Sequence, residues 1–145
     1  MFIKIEGDNM AYDVQIENNA DLTREQMEAC MKRALTAIGM QAESYAKESV
    51  NKAGAIDTGR LINSITYGTA DRAGSHDYTD NEGKHYADTI GLAEEDAVYI
   101  GTNVEYAPYI EYGHHSYAGV HFLKDAAGNH TEEYKEIIKQ SMENA

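Results

Sequence analysis

In Val98-Tyr99-Ile100-Gly101-Thr102-Asn103-Val104-Glu105-Tyr106-Ala107-Pro108-Tyr109-Ile110-Glu111-Tyr112-Gly113 the hydrophobic period changes, and the architecture turns on that change. Val98 and Ile100 alternate with Tyr99 and Gly101, the period of a half-buried strand, and Gly101-Thr102-Asn103 supplies turn residues. Pro108 fixes its own φ, has no amide to donate and disfavours helical geometry at Ala107, so a helical turn begins at Pro108 or just before it. Gly113 is a natural stop. Between them, the spacing of Tyr106, Tyr109 and Tyr112 puts three phenols near one side of a short helix. Either these rings are core or they form a surface for a partner, because tyrosine is amphipathic and rarely fully buried.

Downstream, Phe122, Leu123, Ala126, Ala127, His130, Tyr134, Ile137, Ile138, Ser141 and Met142 trace one helical stripe, weakened by Gly128. Upstream, Asp71 to Asp96 is polar and holds eight acidic residues against Arg72 and Lys84, which fits a long acidic loop or extended hairpin inserted at about 71–96 between two strands. Asp57-Thr58-Gly59 caps a short helical turn that points Leu61 and Ile62 inward, and Ser64 to Thr69 then extends as a strand. Before it, Thr23 and Gln26 have capping-box spacing. Met27, Met31, Ala34, Leu35, Ile38, Ala42, Tyr45, Ala46 and Val50 recur every three or four residues, predicting one amphipathic helix of about seven turns despite Gly39. Phe2 to Glu6 and Tyr12 to Glu17, separated by Gly7-Asp8-Asn9, read as a hairpin. The sum is one α+β domain over residues 1–145, with a long N-terminal amphipathic helix and a C-terminal helix packed on a small, mostly antiparallel sheet.

At 145 residues with 42% apolar content, the chain is able to bury one core. A formal charge of −13 with only 12 Lys and Arg argues against a surface that grips nucleic acid. Cys30 is alone in an apolar helical stripe and reads as a buried thiol in a reducing compartment. The start of the chain lacks the apolar region of a signal peptide, and no run approaches the length of a membrane span, so a product of the cytoplasmic side is expected.

Chemistry leaves few openings. His114, His115 and His121 lie close in sequence with Glu111 just upstream, but adjacent histidines point apart in regular structure and no HExxH pair exists. Asp77 to Gly83 superficially resembles a calcium loop, yet Gly83 falls at the seventh position rather than the sixth and Asp88 stands at the twelfth, so a turn is the better assignment. No glycine-rich phosphate cradle is present, and Glu94, Glu95 and Asp96 read as a solvated charge run. Neither catalytic residues, metal ligands nor a cofactor are expected on these grounds.

The pairing of Asp57-Thr58-Gly59-Arg60-Leu61-Ile62-Asn63-Ser64-Ile65 with Ile100 to Gly113, followed by His121-Phe122-Leu123-Lys124-Asp125-Ala126, resembles the tail-component family of tailed bacteriophages. That family groups minor virion proteins that complete the tail or join it to the head. In its members Thr or Ser usually follows the glycine of the tyrosine segment and Pro precedes the Phe-Leu pair; here His114 and His121 stand at those places. The resemblance implies structural roles for Asp57, Thr58, Gly59, Leu61, Ser64, Ile65, Gly101, Thr102, Ala107, Phe122, Leu123 and Ala126. It also implies a virion protein, made in the host cytoplasm, whose copies close into a ring, sixfold to match a tail tube, and dock on head-connector or tail proteins. Tyr106, Tyr109, Glu111, Tyr112 and Gly113 are then the expected protein–protein contact, with the exposed side of the first helix as the second patch. The acidic 71–96 segment would project to line a channel that repels DNA or to clasp a neighbouring ring. Two other classes stay open: an acidic module that mimics DNA, and a small metal hydrolase using Glu111, His114, His115 and His121.

Overall fold

The computed structural model describes residues 1–7, 10, 22–54 and 59–144. Its longest element is helix α1 (Arg24–Lys52), which begins with both arms of a capping box: the Gln26 amide donates to Thr23 Oγ1 at 3.1 Å, and the Thr23 amide to Gln26 Oε1 at 2.9 Å. Its buried stripe is Cys30, Met31, Ala34, Leu35, Ile38, Gly39, Ala42, Ala46 and Val50, while Met27, at the first turn, is exposed. Gly39 is the closest approach of this helix to the sheet. A Cβ there would stand 2.5 Å from Tyr67 Cδ2 and 2.9 Å from Val98 Cγ2, so the missing side chain is the seat of Tyr67.

Among the described residues, the sheet against which α1 packs has three strands in the order β1 (Phe2–Glu6), β5 (Ala97–Gly101), β2 (Thr66–Gly68), all antiparallel. Phe2 pairs with Gly101 and Glu6 with Ala97 on one side of β5, and Thr66 pairs with Gly101 on the other. Because β5 is central, Ala97, Val98, Ile100 and Gly101 are all buried; the half-buried alternation expected of it gives way to nearly continuous burial. Only Tyr99 is partly open, and it stacks on Phe2 with ring centroids 4.2 Å apart. The free edge of β2 is occupied by Arg72, whose guanidinium lies 3.9 Å over the Tyr67 ring and donates to the Tyr67 carbonyl at 3.0 Å. Gly7 takes helical geometry after β1 and its amide donates to Asp96 O at 2.7 Å; the second arm of the hairpin expected over 2–17 lies outside the described residues.

Helix α2 (Gly59–Ser64) leads into β2 with Leu61 fully buried. Within the acidic stretch, β3 (Gly74–Thr79) and β4 (His85–Ile90) form an antiparallel hairpin whose turn is organised by Asp80, accepting from the amides of Glu82 and Lys84, with Gly83 at φ 85°. The hairpin is tied down rather than projecting along its whole length. Tyr78 covers Gly59, His76 reaches Glu43 of α1 at 3.1 Å, and buried Asp88 meets Arg60 at 3.4 Å. Arg60 also bonds Glu105 at 3.0 Å and lies 4.1 Å over the Tyr86 ring. Burial opposes its charge, but Glu105 and Asp88 outweigh that and hold its pKa above the ordinary value.

After α3 (Ala107–Tyr112) and the two-residue strands β6 (Gly113–His114) and β7 (Tyr117–Ala118), the C-terminal stripe divides into two helices, α4 (Phe122–Gly128) and α5 (Thr131–Glu143). The single helix expected there is broken at Gly128-Asn129-His130. Thr131 Oγ1 donates back to Gly128 O at 3.2 Å, and Glu132 and Glu133 occupy the first turn of the new helix, where the dipole favours anions. Across the break the Tyr134 hydroxyl donates to Ala126 O at 2.5 Å. Both helices pack against α1, burying Phe122, Leu123, Ala126, Tyr134 and Ile138 almost completely. Each large apolar side chain so buried contributes roughly 1.5–3 kcal/mol.

Candidate functional site

The residues that carry the family resemblance are the ones that hold α2, β5 and α4 together. Ser64 Oγ donates to Leu61 O at 2.7 Å and shares a 2.6 Å hydrogen bond with Thr102 Oγ1, which also accepts from the Val104 amide at 3.1 Å. This buried hydroxyl pair fastens α2 to the end of β5. Thr102 further donates its amide to Met1 O, and at Gly101 a Cβ would meet that same carbonyl at 2.3 Å, so the strand crossing there needs glycine. Leu61, Ile65, Ala107, Phe122, Leu123 and Ala126 are core, and Gly59 sits under the Tyr78 hydroxyl. Asp57 and Thr58 lie outside the described residues.

Of the five residues expected to make the partner contact, the structure separates two from the rest. Tyr109 and Tyr112 are 55% and 66% exposed on α3, and Tyr117, which sequence reasoning did not single out, is 78% exposed on β7. Tyr106 instead packs against the core, and burial pushes its phenol pKa up. Glu111 is not a surface residue at all: it is fully buried, and its two carboxylate oxygens accept from the amides of Leu123 at 2.7 Å and Lys124 at 3.2 Å. The reason is the start of α4. His121 occupies its N-cap with left-handed backbone and makes no side-chain cap bond, so the orphan amides take their acceptor from Glu111 on α3. Gly113 ends α3 at φ 91°, its amide donating to Tyr109 O. Glu111 is therefore the clamp beneath the exposed phenols.

The ledge they form is continued by imidazoles. His114 meets the Tyr109 ring edge-on at 4.6 Å and His115 at 3.9 Å, and His115 and His121 both adopt positive φ, at 53° and 56°. Left-handed backbone at a residue other than glycine costs about 1–2 kcal/mol and gathers at functional positions. The hydrolase arrangement of Glu111 with His114, His115 and His121 is not formed, because Glu111 is committed to α4. Among the described residues no three His, Cys, Asp or Glu side chains stand where they would hold a metal ion. Cys30 is free and buried, and several acids, including Asp71, Glu94 and Glu105, are engaged by Lys32, Lys4 and Arg60. None of the described helices is long and apolar enough to cross a membrane.

The fold is thus an α+β core that ends in an exposed aromatic ledge, with the Glu111 carboxylate spent on structure. Residues 15–113 match the HK97-gp10-like family, described as "Bacteriophage HK97-gp10, putative tail-component", and the chain belongs to that family. Its role is that of a structural component of the phage tail, and the protein is a virion protein. No curated protein and no solved structure matches the chain.

Proposed function

We propose that copies of this protein close into a ring in the head–tail joining or tail-completion region, six to match a tail tube, and dock there on connector or tail proteins. The observation that supports this most is the pair Tyr109 and Tyr112, both more than half exposed on a helix that Glu111 holds rigid from below. Aromatic side chains on a fixed backbone lose little entropy on docking and are the usual anchors of an interface. A ring of identical copies meets through two different patches, so the ledge of one copy faces another surface of the next, the exposed side of α1 being the second patch. The hairpin β3–β4, anchored at its base and exposed from Asn81 to His85, presents its acidic turn outward, where it repels DNA or contacts the neighbouring layer.

Tyr109→Ala and Tyr112→Ala test this. Because both rings are exposed, unfolding free energy should stay within about 0.5 kcal/mol of the parent. Self-association, read by sedimentation velocity and native mass up to millimolar protein, and incorporation into particles should both fall. An equal loss of folding stability would make the rings core, and a parent chain that stays monomeric throughout would overturn the ring.

A further inference from the structure

A second surface answers the ledge. Between α1 and the segments Thr69–Arg72 and Glu95–Ala97 lies a cleft of about 270 Å³ floored by Leu35 and Ala97 and edged by Lys32, Thr36 and Ala70. Roughly 150 Å³ suffices for a benzene ring. Two exposed apolar side chains flank it: Met40, 58% exposed one helical turn beyond Thr36, and Leu92, 58% exposed beside Ala93, whose amide bonds Thr69 O. Asp96, at its wall, has positive φ, at 60°, as do His115 and His121 on the ledge.

Charge pairs the two surfaces. The cleft carries Glu28, Asp71, Glu95 and Asp96 against Lys32 and Arg72. The tip of the ledge is exposed from His114 to Ala118, and residues 113–121 hold no carboxylate in a chain of net charge −13; His114 and His115 are its exposed imidazoles. Between copies of one acidic chain, an acid-free face set against an acidic one avoids carboxylate–carboxylate repulsion. Position agrees as well. The cleft collects residues at the Ala97 end of β5, and the chain departs from the Gly101 end toward α3 and the β6–β7 tip, so knob and socket are two different patches, as in a head-to-tail contact.

We infer that this cleft is the socket for the Tyr117 tip of a second copy of the chain, whose ring enters over Leu35 while His114 and His115 face the acidic rim. The inference rests on the ring proposed above and names the two patches that build it. Tyr117→Ala removes the knob, and Ala70→Trp fills the socket; Thr36→Arg blocks it from the helix side should the tryptophan disturb folding, which circular dichroism and a melting curve report. Each variant alone should bind itself roughly thirtyfold more weakly. Mixed, Tyr117→Ala (socket intact) and Ala70→Trp (knob intact) should form a dimer that grows no further, seen by native mass. An Ala70→Trp and a Thr36→Arg chain that both assemble like the parent, or a mixture without dimers, overturns the socket and leaves the ring standing. Loss of particle incorporation with unchanged self-association would mean that another tail protein fills the cleft, which also overturns it. A parent that never associates overturns ring and socket together.

Discussion

Replacing Glu111 with alanine should unfold more of this protein than its short, local helix suggests. The carboxylate is fully buried and bonds two amides, at 2.7 Å and 3.2 Å, that belong to the first turn of α4. Each buried amide left without an acceptor costs about 1–3 kcal/mol, and an anion at a helix N-terminus contributes up to about 2 kcal/mol in partly buried geometry. The desolvation of the charge, recovered on its removal, offsets part of this. A net loss of about 3 kcal/mol follows for Glu111→Ala, a large share of the roughly 5–15 kcal/mol that holds a domain together. Urea unfolding followed by circular dichroism should show the midpoint falling with the slope unchanged. Glu111→Gln keeps one acceptor oxygen but turns an amide donor toward the other N–H, so about half the loss is expected. Unfolding free energies of both variants within about 1 kcal/mol of the parent would refute the clamp.

Gly39→Ala should destabilise by about 1–3 kcal/mol through overpacking on Tyr67 and Val98, although alanine is the better helix former by about 1 kcal/mol; a raised melting temperature would contradict this. Burial raises the Tyr134 pKa well above its ordinary value, so its contribution is intact below about pH 10, the unfolded value, and is lost as pH rises from there toward the folded one. Tyr134→Phe should flatten that alkaline decline in stability-versus-pH curves while costing about 1 kcal/mol at neutral pH for the unmet Ala126 carbonyl. Arg60→Ala leaves Asp88 buried without its cation and should cost about 3 kcal/mol, with hydrogen exchange of the β3–β4 amides rising more than that of α1.

Local signals in the chain were enough for the long helix, because Thr23 and Gln26 announce its start and three-to-four spacing carries its face to Val50. Pro108 and Gly113 likewise bracket α3. The α+β class follows from such local periods, but sheet order does not: β1 pairs with a strand more than ninety residues away, and nothing near Phe2 encodes Tyr99 as its companion. Strands β3 and β4 are hard to see because Ser75, Asp77, Thr79, His85 and Thr89 give a polar face without the β-branched apolar run that marks a buried strand. For the ledge, exposure of Tyr109 and Tyr112 against burial of Tyr106 depends on which side of α3 meets the core. The role of Glu111 left one trace. No Ser, Thr, Asp or Asn precedes Phe122, so the α4 amides had to find an acceptor elsewhere in the chain.

Arg72, lying along β2 with its guanidinium on the Tyr67 carbonyl, has a bearing on how copies of the chain can meet. Bare strand edges are templates on which other chains pair and nucleate fibres. By plugging its own sheet border with a side chain, the molecule denies other chains a backbone template on that flank and confines encounters there to contacts that side chains can specify.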